Sequence, residues 1–150
     1  MDESIRDAYA RAFRNLHERL RQEVRGLDTG TLNWRPLPKA NSVSVLVTHT
    51  LGSELEMIRS VRLIPNQRDR DSEFRAEADA DRLLEMIDAA DREMGDHIAA
   101  LTTADLTEPR PRGDARSPQP GIYWLATNYG HAREHLAQIE LTKQLYDSRT

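Results

Sequence analysis

The stretch NYGHAREHLAQIE, residues 128–140, decides the reading of this chain. Together with Leu125 just before it, Tyr129, Ala132, Leu136 and Ile139 recur at steps of three and four. That is the spacing of one helix face at 3.6 residues per turn. Beside this apolar row runs a second, Trp124, Asn128, His131, His135, Gln138, Thr142 and Leu145, polar in its middle and apolar at both ends. A face turned to water would carry charges there, as Arg133, Glu134 and Glu140 do elsewhere on the same helix. Asn, His, His and Gln flanking a core row need partners, because buried polar groups are hydrogen-bonded or ligated. His131 and His135 are four residues apart, so they lie one turn apart on one face, where two imidazoles can grip one metal ion. The plainer alternative is a pair of hydrogen-bonded histidines at a helix seam.

The same period recurs three more times. A first helix covers about residues 3–25, with Ile5, Tyr9, Phe13, Leu16, Leu20 and Val24 as its stripe and Gly26 placed to end it. Ser42 can cap a second, about residues 43–62, striped by Val43, Leu46, Val47, Thr50, Leu51, Met57, Ile58 and Val61. A third runs over about residues 77–101 on Leu83, Leu84, Ile87, Ala90, Met94, Ile98 and Leu101. The fourth starts after Pro120 and runs to about Tyr146.

Between them, LDTGTLNWRPLPKANS reads as an ordered loop, docked through Leu32 and Trp34. NQRDRDSEFRAEA is polar, has Phe74 as its large apolar anchor, and is long enough to cross the molecule. TTADLTEPRPRGDARSPQPG, with four prolines and two glycines, cannot be a regular element. No strand-like alternation occurs. The expectation is an all-α four-helix bundle filling residues 1–150 as a single domain, with no sheet and a long connection between helices two and three.

Composition excludes several alternatives. The chain has 150 residues, 31% of them charged and 38% hydrophobic, with a net charge of −4, and its basic residues are spread out. Nothing forms a nucleic-acid stripe or a polybasic membrane anchor. No cysteine is present, which rules out disulfides, a zinc ribbon and a protein thiol nucleophile. The segment MDESIRDAYARAF has no apolar signal core, and no apolar run approaches the roughly 20 residues of a membrane span. A cytoplasmic protein with no membrane or nucleic-acid partner is expected.

Two ligands hold a metal weakly, so a third matters. His49 sits in VSVLVTHTLGSELE, the most apolar stretch of the chain, and faces His131 and His135 if helices two and four meet. Three neutral imidazoles with open positions are typical of catalytic metal sites. His17 and His97 each flank a stripe, next to Leu16 and Ile98, and read as half-exposed boundary residues. HAREH also fits H-x-x-E-H, an inverted zinc-protease motif with Glu134 as base. Only Glu140 and Asp147 follow as acids, and Glu134 is rotated about 100° from His135. A solvated Glu134 fits better.

Three blocks resemble the DinB/YfiT-like superfamily, metal-binding four-helix bundles of bacteria: LNWRPLPKANSVSVLVTHTLGSE at 32–54, DRDSEFRAEADADRLLEMID at 69–88 and HAREHLAQIELTKQL at 131–145. The resemblance covers nearly the whole chain. It implies an up-down-down-up bundle, frequent homodimerisation, and His49, His131 and His135 as ligands of one divalent ion such as zinc, nickel or iron. Relatives often carry a further histidine one turn before the pair, where this chain has Thr127. Some members are transferases or isomerases that use a low-molecular-weight thiol of the mycothiol, bacillithiol or glutathione type.

Two functions follow from this. One is metal-dependent transfer of such a thiol to a small electrophile, the metal holding the thiolate at neutral pH. The other is a non-catalytic stress- or damage-induced binding protein with a structural or vestigial metal. The case for the second is that no general base is evident: Glu54 and Glu56 follow His49 on helix two by five and seven residues. Arg59 and Arg62 could hold a cofactor carboxylate, but a solvated helix end is the better reading of both. Trp34 and Trp124 could line the pocket mouth or belong to the core.

Overall fold

In the computed structural model, which describes residues 3–113 and 116–149, each apolar stripe lies on one long helix. The elements are α1 (Glu3–Val24), α2 (Thr29–Asn33), α3 (Val43–Val61), α4 (Arg70–Glu73), α5 (Ala80–Ala99), α6 (Thr103–Thr107), β1 (Pro109–Arg110), β2 (Gln119–Pro120) and α7 (Gly121–Asp147). Local chemistry sets the ends. Gly26, at φ +75°, stops α1 in the left-handed conformation that glycine adopts freely. The Ser42 hydroxyl accepts from the Val45 amide at 3.2 Å and starts α3. The third long helix begins three residues later than its pattern suggests. Asn33 clamps Ala78, donating to its carbonyl at 3.1 Å and accepting from its amide at 3.2 Å, and Asp79 then caps α5.

Contacts between side chains give the helix directions. Arg6 on α1 reaches Ala99 on α5, and Arg21 reaches Asp88, so α1 and α5 are antiparallel. Arg19 pairs with Glu140 and Glu23 with Lys143, so α1 and α7 are parallel. Ser44 meets Ala78 and Arg62 meets His97, so α3 and α5 are parallel. His49 meets His135 while Ser53 meets Asn128, so α3 and α7 are antiparallel. The result is an all-α bundle running up-down-down-up.

Because α3 and α5 run the same way, the chain must travel back along the bundle between them. Residues 62–79 do this, carrying α4 across the α3 surface. Phe13, Leu16, Leu20, Met57, Ile58, Leu83, Ile87, Met94, Leu125 and Ile139 are fully buried between the four long helices. Each such side chain contributes roughly 1.5–3 kcal/mol of transfer free energy. Trp34 docks edge-on to Tyr146 with ring centroids 5.5 Å apart. Trp124 belongs to the core, its indole N–H donating to the Arg110 carbonyl at 2.9 Å.

The proline-rich connection is more regular than expected. Thr102 and Asp105 form a reciprocal capping box that nucleates α6. Pro109–Arg110 then pairs antiparallel with Gln119–Pro120, a two-residue ladder too short to show as alternation. Among the described residues no helix is long and apolar enough to cross a membrane.

Candidate metal centre

α3 and α7 meet where each carries its histidines. One ligand nitrogen from each of His49, His131 and His135 lies within 4.8 Å of the other two. Ring centroids are 6.0 Å apart for His49 and His131, 5.1 Å for His49 and His135, and 4.2 Å for His131 and His135. His49 and His135 are buried, while His131 sits at the mouth with its side chain 45% exposed.

Hydrogen bonds orient the His49 and His135 rings. Arg68 grips Glu73 with two prongs, Nε to Oε2 at 2.8 Å and Nη2 to Oε1 at 2.7 Å. Held in this way the carboxylate is charged and only accepts. Nδ1 of His49 lies 3.0 Å from Glu73 Oε1 and 3.2 Å from Arg68 Nη2, and in the tautomer that donates Nδ1–H to the nearer carboxylate Nε2 keeps its lone pair. Nδ1 of His135 donates in the same manner to Gln138 Oε1 at 2.9 Å. Glu134 Oε2 lies 3.7 Å from Nδ1 of His131, a looser contact at the exposed rim. Nε2 of His131 and Nε2 of His135 face each other at 2.9 Å.

The donor set fits a metal. His131 and His135 bring their Nε2 atoms together and His49 adds a ring nitrogen within 4.8 Å, with an oxygen behind Nδ1 of both His49 and His135, which is how metal-ligating histidines are usually oriented. Bonds of about 2.0–2.1 Å to one ion require only that the His131 and His135 rings part slightly and His49 close in. Burial holds the His49 imidazole below its ordinary range, His135 and Arg68 adding to the effect while the Glu73 bond opposes it. Burial and the neighbouring His135 do the same for His131. Both rings are thus neutral at pH 7, the form that can bind a metal.

The sequence model of the DinB superfamily matches residues 12–139. The chain belongs to the DinB superfamily. Its fold is that of a conserved protein from Enterococcus faecalis whose crystal structure superposes with a TM-score of 0.78, covering 95% of this chain and 97% of that one at 14% sequence identity. No curated protein matches the chain.

Within this DinB-superfamily bundle the remaining candidates separate. His17 is not a boundary residue: it is fully buried, with Nε2 2.7 Å from Glu54 and Nδ1 2.7 Å from Asp91. Its position beside Leu16 turns it toward the seam of α1, α3 and α5. Glu54 accordingly serves α1, away from the metal-site face. His97 is half-buried and accepts from Arg62 at 2.7 Å, and Arg59 pairs with Glu93. Both arginines are engaged in the α3–α5 seam. Glu134 is solvated, as expected. Glu73 and Arg68 were not legible as site residues, because nothing in a polar connection marks which of its charges will cross over a histidine.

Proposed function

We propose that His49, His131 and His135 bind one divalent transition ion through their Nε2 atoms, and that this DinB-superfamily protein is a metal-dependent transferase using a low-molecular-weight thiol on a small electrophile. The observation carrying the reading is the convergence of one ring nitrogen from each of three histidines within 4.8 Å of one another, with Glu73 hydrogen-bonded to His49 from behind. A divalent ion held there would lower the pKa of a bound thiol enough for the thiolate to exist at neutral pH. The chain supplies no thiol of its own, so the sulfur has to come from a second molecule.

The protein's part is to orient and to shield. Glu73 and Gln138 hold the His49 and His135 rings. Phe74 covers His49 with ring centroids 5.0 Å apart and keeps water from its flank. His131 leaves the site open on one side, where a cleft of about 500 Å³ begins. Metal analysis of protein purified without an affinity tag, followed by thermal stability with mycothiol, bacillithiol or glutathione added, tests the reading. A stabilisation by one thiol that disappears on metal removal supports it. Metal without any thiol effect supports the second reading, a non-catalytic binding protein with a structural metal.

One observation favours that second reading. Glu56, the carboxylate lining the cleft among the described residues, is tied to Arg68 at 2.6 Å and is poorly placed as a free base. Assembly as a homodimer belongs to the same proposal: Leu141 and Leu145 lie one turn apart on α7 and are exposed.

A further inference from the structure

The cleft that opens on His49 and His131 carries four guanidinium groups, Arg68, Arg70, Arg112 and Arg116. Against them stands one carboxylate, Glu56, among the described lining residues. Arg68 is satisfied, holding Glu73 with two prongs and Glu56 with a third N–H. Little is left for the others. The second oxygen of Glu56 stays 3.9 Å from Arg112 Nε, beyond hydrogen-bond reach.

Arg112 is the telling residue. It is only 7% exposed, and its Nε–H has no hydrogen-bond partner among the described residues. Its Nη2 donates to Ser53, at 3.0 Å to Oγ and 3.5 Å to the carbonyl. Trp124 backs the guanidinium, 5.7 Å from the ring centroid. Burial pulls its pKa down to about 10; Glu56 opposes this, while Arg116 and Arg68 add to it. An arginine is still charged at neutral pH. A buried cation so poorly compensated is costly to keep. Arg70 stacks over Phe74 at 5.0 Å and brings further positive charge to the same wall. Guanidinium forks match the planar geometry of carboxylates and phosphates.

We propose that this cleft is an oxyanion subsite, in which Arg112, with Arg116 and Arg70, holds a carboxylate or phosphate group of a small molecule whose other end reaches the histidine cluster. The inference rests on the metal-centre reading for what happens at that other end; the arginine site itself does not require the metal. It narrows the substrate class to anionic molecules that present an oxyanion to one end of the cleft and their reacting group to the other.

The test is isothermal titration of the full chain with inorganic phosphate and, separately, with succinate, at low ionic strength, as purified and again after metal removal. Arg112→Lys keeps the charge and removes the fork. Arg116→Gln alters an exposed residue and leaves the core alone. Arg14→Gln, exposed on α1, is the control for general charge. The expected result is saturable binding of at least one anion, weakened roughly tenfold or more by each cleft variant and unchanged by the control. Stronger binding of phosphate or of succinate assigns the group. No saturable binding of either anion, equal binding in wild type and both cleft variants, or equal loss in the Arg14→Gln control overturns the proposal. Arginine-dependent binding that survives metal removal upholds the subsite even if the histidines prove to hold no metal, so the two readings fail separately.

Discussion

Oε1 of Glu73 lies 3.0 Å from Nδ1 of His49, and Arg68 holds both oxygens of that carboxylate. The up-down-down-up order makes this possible. A short hairpin between α3 and α5 would stay at one end of the bundle, whereas the crossing chain passes over the middle of α3 and delivers Arg68 and Glu73 to the histidine. The loop between helices therefore supplies the charged groups that meet Nδ1 of a helix residue.

Replacing Glu73 should loosen the metal without removing a ligand. Glu73→Gln retains the shape but lacks the charge that fixes His49 Nδ1–H and anchors Arg68. We expect metal affinity to fall about 10- to 100-fold, the usual effect of removing an orienting carboxylate. Competition against a chromophoric chelator measures it, and wild-type affinity would show that Glu73 has no orienting role.

Gly52→Ala should act on the same bond from the other side. A Cβ at residue 52 would meet Glu73 Oε2 at 2.0 Å and its Cδ at 2.8 Å, so the carboxylate must swing away. In a helix interior alanine is normally favoured over glycine by roughly 0.5–1 kcal/mol. Here metal affinity should drop toward that of Glu73→Gln, whatever α3 itself gains. Unchanged affinity in the same chelator competition would mean that the contact at Gly52 does not position Glu73.

The buried His17 should make stability fall with rising pH. Burial, the largest single influence, opposes its charge, but the bonds and charges of Glu54 and Asp91 outweigh burial and hold its pKa above the ordinary value. Burial also raises Glu54, so the two groups together keep a proton that the unfolded chain gives up. A raised folded pKa gives stability that is complete below the unfolded value, about 6.5, and is lost as pH climbs through the folded one. Urea midpoints of metal-free protein should decline above about pH 6.5. His17→Gln combined with Glu54→Gln, which removes both groups that share the proton, should flatten that slope. A wild-type midpoint rising over the same range would contradict the assignment.

Much of this was legible in the sequence, for physical reasons that can be named. Helical period exposed the four stripes because each long helix buries one face only. His131 and His135 were readable as a pair because one helix fixes their spacing, and His49 because an imidazole within the apolar run of α3 needs a partner. His17 is the exception: adjacency to Leu16 does not say whether a side chain tilts outward or into a seam, and only the approach of Asp91 and Glu54 decides that. The α6 cap and the β1–β2 ladder were hidden in a proline-rich segment, where the Thr102–Asp105 box is four residues long and easily overlooked. Arg112 left no local signal at all, since its burial depends on Ser53 and Trp124 from two other elements.

Assembly can be tested at the same time as the site. If the exposed Leu141–Leu145 edge of α7 pairs two copies, sedimentation should give twice the chain mass of 17.2 kDa. Leu141→Arg should then shift the mass to one chain. A wild-type mass of one chain throughout the micromolar range would remove the dimer from the proposal.

The most direct test of the metal centre is the metal content of four proteins produced without an affinity tag: wild type, His49→Ala, His135→Ala and His97→Ala. His97 lies in the α3–α5 seam with Arg62 and serves as the control. The account predicts about one equivalent of tightly bound divalent metal in wild type and His97→Ala, and a steep loss in His49→Ala and His135→Ala, since two imidazoles hold such an ion poorly. A full equivalent retained by His49→Ala would contradict it, and the α3–α7 histidines would then be a hydrogen-bonded seam.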